Sequence, residues 1–372
     1  MIIIYRSVLI IFFMRCAVAK NSEYNRELRA KKLDKLKELQ QVLPSYVQPY
    51  LDGMRVGYQP NTLVAYARDL ITFFEYLKEM NPSFKDIEIK QIPLEILDEL
   101  SIQDIIEYKN YLSYNNGENK HSNQASSIER RLAPLRGFYV LANDMGFLHN
   151  NPTISEIGQK RNKANKKEIV YMAPDEVHRF LDVTENTRFD SDRQKKYVSN
   201  LKERDTALLT LLLNTGIRVS ECVGIDLSDL NFNENSVKIF RKGGYDQTVY
   251  FNERTAEALK TYIDGERKKY CDSDTEKALF LSSQKKRIQV RSVEYMVKKY
   301  AAQALPGKKL TPHKMRSTYG TALYDETSDI RLVADVLGHE DVTTTARHYA
   351  SMKERHRKEA GTMDLYQDTP KK

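Results

Sequence analysis

Residues 205–221 read DTALLTLLLNTGIRVSE and decide the fold of the second half of the chain. The leucine-rich part, 205–214, has almost no polar face, which is typical of a helix that is buried on all sides. Gly216 then supplies the backbone freedom for a sharp reversal, after which a new helix opens. The stretch therefore predicts a central buried helix and a turn that places Arg218 at a helix start.

The pattern around this helix predicts more helices and one small sheet. Residues 236–251 alternate between apolar and polar positions on either side of Lys242-Gly243-Gly244, which indicates a hairpin. Helical spacing marks the start of a helix at 174–180 and further helices at 255–270, 290–303, 313–324 and 330–337. The threonines at 343–345 predict the cap of one more short helix, which carries Arg347, His348 and Tyr349.

The first half of the chain is predicted to be helical throughout. Apolar stripes at helical spacing mark helices at 24–43, 60–80, 102–112 and 126–143. Pro134 lies inside the last of these and predicts a kink or an interruption. The same helix carries Arg130, Arg131 and Arg136 on a face with few acidic residues, which fits a solvated surface and a phosphate-facing surface equally well. The expected fold class is mainly α with a small β-sheet.

The totals limit the class of protein. A chain of 372 residues is expected to form two domains. Its net charge of +8 is compatible with a polyanionic partner but does not prove one. The three cysteines are an odd number, which argues against a disulfide framework and fits a reducing cytoplasm, and they lack metal-ligand spacing, which argues against a zinc site.

Two segments lie outside the expected domains, which are 20–157 and 169–372. Residues 1–19 contain an apolar run that is too short to span a bilayer, although the Ala-x-Ala pattern at 17–19 fits a secretory signal. We interpret this segment as a leader from an upstream start codon or as disordered. Residues 158–168 are rich in lysine and arginine and are typical of an exposed linker.

Six side chains of the second half have the chemistry that cleaves a phosphodiester without a metal ion. They are Arg218, Lys242, His313, Arg316, His339 and Tyr349. Cationic donors can hold a phosphate, an acid can protonate the leaving oxygen, and a phenol can act as a covalent nucleophile. Each residue alone fits an ordinary charged surface or helix cap better, but the ordered set favours the functional interpretation.

The spacing of these residues predicts two contacts. Glu221 lies three residues after Arg218 on the same helical face and can brace the guanidinium group. His313 and Arg316 are also three residues apart and can donate to one anion.

The motifs around these residues resemble those of the tyrosine recombinase family, also called the phage integrases. The motifs are TGIRVSE at 215–221, RKGG at 241–244, HKMR at 313–316 and LGH at 337–339, followed by Tyr349. In the first half, 61–77 resembles the core-binding domain of the family. Three stretches, at 202–213, 293–300 and 311–327, are similar to the Xer-type members and most of all to the XerS type. The resemblance implies a helical, SAM-like core-binding domain and a mixed α/β catalytic domain.

The resemblance also implies a role for each residue. Arg218 and Arg316 would clamp the scissile phosphate, with Glu221 in support, and His313 and His339 would add donors or handle the proton of the tyrosine. Lys242 would protonate the departing 5′ oxygen, and Tyr349 would attack phosphorus to leave a 3′-phosphotyrosyl link. No cofactor and no metal would be needed. Candidate DNA contacts are Arg130, Arg131, Arg136, Lys163, Lys166 and Lys167.

The implied partner is double-stranded DNA with an inverted-repeat site, on which a homotetramer would join two sites, away from any membrane. The Xer likeness implies chromosome dimer resolution in the cytoplasm. Integration or excision of a mobile element uses the same chemistry, and a type IB topoisomerase-like enzyme or an inactive DNA-binding relative are further alternatives.

Three positions depart from the pattern of the family. Tyr349 lies ten residues after His339, one more than the usual interval, and His348 occupies the usual position. Tyr245 and Ser317 stand where many relatives have a basic residue and a histidine.

Overall fold

The computed structural model of the chain describes residues 23–114, 125–153, 170–186, 201–241, 244–270, 276–339 and 341–348. These residues form two compact units, one before residue 154 and one after residue 169. The predicted fold class is confirmed. The predicted leader and linker lie outside the described residues, and the domain boundaries stay a prediction. Within the described parts, no helix is both long enough and apolar enough to cross a membrane.

The first unit is built from α-helices joined by short 3-10 turns. The helices are α1 (Glu23–Val42), α2 (Gln48–Gly53), α3 (Pro60–Met80), α4 (Glu95–Glu99), α5 (Ile102–Tyr114) and α6 (Ala125–Asp144). The 3-10 turns are Ser45–Val47, Met54–Val56, Pro82–Phe84 and Ile89–Gln91. Helix α3 packs against α1 and α6, and its buried residues, among them Leu70, Phe73 and Phe74, lie in the core. The apolar stripes of the sequence therefore face one another.

Helix α6 covers the predicted range and is continuous through Pro134, so of the two predicted effects of the proline the interruption is wrong and the kink stays a prediction. Proline removes one backbone hydrogen bond from a helix. The neighbouring side chains Leu132, Leu135 and Phe138 are buried in the core of the unit. Tertiary packing supplies most of the stability of a protein helix, and here it outweighs the missing bond.

The second unit has a buried helix, a sheet and surrounding helices. Its helices are α7 (Pro174–Asn186), α8 (Lys202–Thr215), α9 (Val219–Val223), α10 (Glu253–Tyr262), α11 (Lys268–Tyr270), α12 (Val290–Ala304), α13 (Pro312–Thr327), α14 (Ile330–Leu337) and α15 (Val342–His348). The strands are β1 (Leu230–Asn231), β2 (Ser236–Phe240) and β3 (Asp246–Tyr250), and a 3-10 turn covers Leu227–Asp229. All three strands are antiparallel in the order β1-β2-β3. The short strand β1 adds to the predicted hairpin.

Helix α8 forms the centre of this unit, as predicted. Its leucines from 208 to 212 are almost completely buried, and α7, α10 and α13 pack around it. An apolar surface on all sides is stable only when neighbours cover it, so α8 organises the unit.

The segment 255–270 is not the single α-helix that its spacing predicted. A π-helical segment, Ile263–Arg267, separates α10 from α11. Within it, Glu266 accepts hydrogen bonds from the N–H groups of Glu203 and Arg204, both at 2.9 Å, and so caps α8. A Cβ atom on Gly265 would lie 2.2 Å from Oε2 of Glu203. The wider turn accompanies this close approach between two segments that are distant in sequence.

Candidate active site

The reversal after α8 is closed by Gly216. Its φ of 61° lies in the left-handed region, and its N–H donates to the Leu212 carbonyl at 3.1 Å. A Cβ atom at this position would lie 2.5 Å from Cδ1 of Tyr319, so only glycine fits. The predicted turn is confirmed, and it places Arg218 directly before α9.

Arg218 is held by Glu221 at two points. The backbone N–H of Arg218 donates to Oε2 of Glu221 at 2.7 Å, and Nη1 donates to Oε1 at 2.8 Å. The contact expected from the three-residue spacing is therefore present. The side chain of Arg218 is still 30% exposed, so its guanidinium group is anchored and remains accessible to solvent.

Glu221 also binds a second arginine, which our interpretation of the sequence missed. Nη1 of Arg241 donates to Oε2 of Glu221 at 2.9 Å, and Arg241 is only 1% exposed. Two guanidinium groups share one buried carboxylate, so the group of three keeps a net positive charge. Strand alternation could have identified Arg241, because Val237 and Ile239 are buried and Arg241 is the next residue in phase.

Three arginines converge on the end of α14. The carbonyls of Val336, Leu337 and Gly338 accept, in that order, from Nη2 of Arg241 at 2.7 Å, Nη2 of Arg316, and Nη2 of Arg218 at 3.2 Å. The last carbonyls of an α-helix lack donors within the helix and form the negative end of its dipole, so cations are favoured there. Because carbonyls are neutral, they hold the guanidinium groups without cancelling their charge.

Arg316 ties the two turns of the site together. It lies on α13, is 4% exposed, and donates through Nη1 to the Gly216 carbonyl at 2.7 Å. Its Nη2 donates to the Leu337 carbonyl. One buried side chain therefore connects the turn after α8 with the turn after α14.

His313 lies one helical turn before Arg316 and is only partly exposed to solvent. Partial burial of the ring lowers the pKa of His313 below its ordinary value, and the positive charges of Arg316 and Arg218 lower it further. The ring is therefore neutral at neutral pH and presents one donor and one acceptor.

His339 is oriented by the turn before it and by α15. Gly338 adopts a left-handed φ of 61°, and the N–H of His339 donates to the Ala334 carbonyl at 2.9 Å. Nδ1 of His339 lies 2.6 Å from Oγ1 of Thr345, which is buried. Thr345 was predicted to help cap the last helix, but it lies within α15 and contacts the histidine instead. Asp341 accepts from the N–H of Thr343 at 2.8 Å in the first turn of that helix.

Lys242 and Tyr349 lie outside the described residues, so their roles stay predictions. Their chain neighbours are described. The N–H of Gly244 donates to the Arg241 carbonyl and the N–H of Arg241 donates to the Tyr245 carbonyl, both at 2.9 Å, which closes the hairpin. The described part of α15 reaches His348, the residue before Tyr349.

The arginines predicted on α6 are placed differently. Arg130 donates to Asp69 of α3 through Nη1 at 2.8 Å and Nη2 at 3.1 Å, and Arg136 donates to Glu129 at 2.8 Å. The face is therefore less poor in acids than predicted. Nε of Arg131 is buried and has no hydrogen-bond partner among the described residues. A role of these arginines in DNA binding stays a prediction, and Lys163, Lys166 and Lys167 lie outside the described residues.

Comparisons with known proteins identify relatives over most of the chain. The sequence profile of the phage integrase family matches residues 170–356. Tyrosine recombinase XerS of Streptococcus pneumoniae is 32% identical over 344 residues, which cover 86% of this chain and 94% of that protein. Tyrosine recombinase XerC of Caldanaerobacter subterraneus subsp. tengcongensis is 34% identical over 295 residues, or 77% of this chain and 76% of that protein.

Solved structures share the fold. The XerH site-specific recombinase bound to a palindromic difH substrate superposes with a TM-score of 0.62 at 18% identity, over 94% of this chain and 92% of that chain. The Tn1549 transposon integrase in complex with transposon right-end DNA gives a TM-score of 0.61 at 17% identity, over 85% of this chain and 99% of that chain. The similarity in sequence and in fold agrees with the ordered motifs and with the arginine-rich site built from them. The chain therefore belongs to the phage integrase family and is a tyrosine recombinase.

Proposed function

We propose that this protein is a site-specific recombinase that cuts and rejoins duplex DNA through a 3′-phosphotyrosyl intermediate. The observation that carries the proposal is the convergence of Arg218 and Arg316 on the turn after α14. Backbone carbonyls hold both guanidinium groups there, and Arg218 shares its carboxylate with Arg241, so positive charge remains for a phosphate. Membership of the family supplies the reaction class.

In the proposed cleavage step, the phenol oxygen of Tyr349 attacks the scissile phosphorus. The bond from phosphorus to the 5′ oxygen breaks as the bond to tyrosine forms, and Lys242 donates a proton to the departing oxygen. The proton of the phenol passes to a histidine of the site. Arg218 and Arg316 hold the non-bridging oxygens, where negative charge develops in the transition state.

Rejoining is the reverse reaction with a new partner strand. A 5′ hydroxyl attacks the phosphotyrosyl link, releases Tyr349 and restores a phosphodiester. Because the covalent link preserves the bond energy, the cycle requires neither a nucleotide cofactor nor a metal ion.

The charge of the site suits a phenol nucleophile. An ordinary tyrosine has a pKa near ~10 and is a weak nucleophile at neutral pH. Nearby positive charge favours the phenolate. The group formed by Arg218, Arg241 and Glu221 keeps a net positive charge, and Arg316 lies at the same turn. This arrangement supports attack by a tyrosine that reaches the phosphate held there.

For the substrate, we propose a DNA site of two inverted half-sites, with one protomer on each half-site and four protomers on two sites. Inverted repeats suit a two-fold pair of protomers. The proposed domains, 20–157 and 169–372, would both contact the duplex, with Arg131 as the α6 candidate whose Nε has no hydrogen-bond partner among the described residues. Mass measurement of the complex with a two-site duplex would test the number of protomers.

For the biological role, we propose chromosome dimer resolution in the cytoplasm, as the Xer likeness implies. Integration or excision of a mobile element is the alternative. An inverted repeat near the gene without mobile-element genes would favour dimer resolution, and a position inside a mobile element would favour the alternative.

The test captures the covalent intermediate from a library of duplexes with randomised half-sites. Each duplex carries a nick near the centre, so the short fragment released by cleavage diffuses away and the adduct persists. We expect the wild-type chain to form adducts on an inverted-repeat sequence, and peptide mass spectrometry to find the nucleotide on Tyr349.

Tyr349→Phe is the matched control and is expected to form no adduct. An adduct on another tyrosine would show that the nucleophile is assigned wrongly. Absence of adducts with the wild-type chain would identify an inactive relative. Relaxation of a supercoiled two-site plasmid without exchange of the sites would identify a topoisomerase-like enzyme.

A further inference from the structure

Arg241 is the most deeply buried charged side chain near the site, and it is not one of the six predicted catalytic residues. It follows β2 directly and is 1% exposed. Burial of a guanidinium group is expensive unless each donor finds a partner. Its contacts therefore indicate what the residue does.

Every nitrogen of the Arg241 side chain donates to a different element of the site. Nε donates to Oε1 of Gln247 on β3 at 2.7 Å, Nη1 to Glu221 at 2.9 Å, and Nη2 to the Val336 carbonyl of α14 at 2.7 Å. One planar side chain thereby joins the hairpin, the helix that carries Glu221, and the helix that precedes His339.

The turn that precedes His339 is shaped around this side chain. A Cβ atom on Gly338 would lie 2.8 Å from Nε and 2.9 Å from Cζ of Arg241. The carbonyl of the same Gly338 accepts from Arg218. Arg241 therefore reaches Arg218 by two routes, through Glu221 and through the Gly338 turn.

We infer that Arg241 is a positioning residue for the cleavage reaction, which aligns Arg218 and the Gly338–His339 turn without touching the DNA. This inference rests on the proposed function, in which Arg218 holds the scissile phosphate. The planar fork of arginine is required, because a lysine is a single point donor and cannot span Gln247, Glu221 and Val336 at once. Without the fork, Glu221 has Arg218 as its one remaining arginine partner, and the Val336 carbonyl at the end of α14 loses its hydrogen bond to Arg241.

The experiment compares two linkages at the scissile position of the duplex captured in the preceding test. One is the ordinary phosphate, and the other is a methylphosphonate, in which an uncharged methyl group replaces one non-bridging oxygen. A misaligned arginine matters less when the linkage carries no negative charge. For Arg241→Met we expect the maximal rate of adduct formation to fall about 100-fold on the phosphate, as for a small misplacement of a catalytic group. On the methylphosphonate we expect a much smaller loss, with unchanged affinity for the duplex.

Arg267→Met is the matched control. Arg267 is also a buried arginine, but it donates to the carbonyls of Glu276, Ala278 and Leu279, away from the turn at 336–338. This variant is expected to react like the wild type on both linkages. Arg241→Lys is expected to stay slow on the phosphate because the fork is lost.

Three results would overturn the inference: wild-type rates for Arg241→Met, equal losses on both linkages, or full recovery with Arg241→Lys. If Arg241→Met does not fold, Gln247→Leu decides, since it removes one acceptor and leaves the pair with Glu221. A slower reaction on the phosphate alone supports the inference, and an unchanged rate overturns it. If the wild-type chain forms no Tyr349 adduct, the proposed function itself fails, whereas a fault confined to these variants concerns Arg241 only.

Discussion

In the first unit, Arg130 directs both of its terminal nitrogens at one carboxylate, that of Asp69. In the second unit, Arg218 gives one nitrogen to Glu221, which already serves Arg241, and the other to the neutral carbonyl of Gly338. The first arrangement matches one guanidinium group with one carboxylate. The second also holds its arginine through both terminal nitrogens, and it leaves positive charge unmatched.

The difference shows how the same residue type becomes a structural tie or an anion site. A carboxylate fixes a guanidinium group and also satisfies its charge, whereas a carbonyl at a helix end fixes it through a partial charge only. Arg316, with hydrogen bonds to the carbonyls of Gly216 and Leu337, belongs to the second kind. Burial adds rigidity, because Arg316 is 4% exposed while the side chain of Arg130 is 51% exposed.

The largest expected effect separates Arg218 from Arg130. Arg218→Lys should slow adduct formation about 100- to 1000-fold, because one of the two groups that stabilise the transition-state charge is lost. Arg130→Lys should leave the maximal rate unchanged and alter only the affinity for the duplex. Single-turnover rates at saturating protein, together with dissociation constants, separate the two effects. Equal rate losses for both variants would show that the two kinds of arginine do not differ in function.

The second effect concerns how much each carboxylate partner of the arginines, Glu221 or Asp69, contributes to the stability of its own unit. Glu221→Gln should lower the free energy of unfolding of the second unit by about 3 kcal/mol, because it leaves the buried guanidinium group of Arg241 and the partly exposed one of Arg218 without their charged partner. Asp69→Asn should cost the first unit only about 1 kcal/mol, because Arg130 can turn to solvent. Hydrogen exchange measured by mass spectrometry at increasing urea reports each unit through its own peptides. A cost at Asp69 as large as that at Glu221 would contradict the distinction.

The smallest effect concerns the pH dependence of stability that His313 contributes. The pKa of His313 is lowered by partial burial and by Arg316 and Arg218. The unfolded chain therefore takes up this proton more readily than the folded chain, so the stability contributed above a pH of about 6.5 is lost as the pH falls. We expect a histidine NMR titration to place the midpoint of His313 below that of a free histidine. His313→Gln should reduce the loss of stability between neutral and mildly acidic pH, and an unchanged pH dependence would contradict this.

The local features of the site were predictable from the sequence. Gly216 and Gly338 lie where the helical pattern stops, so the positions of Arg218 and His339 relative to the ends of α8 and α14 followed from local spacing. The pairing of Arg218 with Glu221 followed in the same way, because residues three apart share a helical face. The helix boundaries in the first unit agree with the apolar stripes within a few residues.

Most of the features that escaped prediction depend on contacts that the chain makes only once it is folded. Asp69 meets Arg130 only because α3 packs against α6, and Thr345 meets His339 only because the chain turns back after Gly338. The continuity of α6 at Pro134 and the π-helical segment after α10 are further cases, since in both the packing outweighs the local preference. Arg241 is the first residue of the RKGG motif, but its burial can be inferred only from the alternation of buried residues along β2.

The kinds of element, the order of the six chemical groups and the family follow from the sequence, because periodicity and motif spacing are properties of neighbouring residues. How the arginines are held depends on the folded chain. The carbonyls of Val336, Leu337 and Gly338 are backbone atoms that any sequence possesses. No pattern of side chains therefore predicts that they accept hydrogen bonds from the arginines. They become a site for three guanidinium groups because folding brings the end of α14 against the turn after α8 and the end of β2. The charge that remains is therefore a property of the fold, and the side chains that carry it are a property of the sequence.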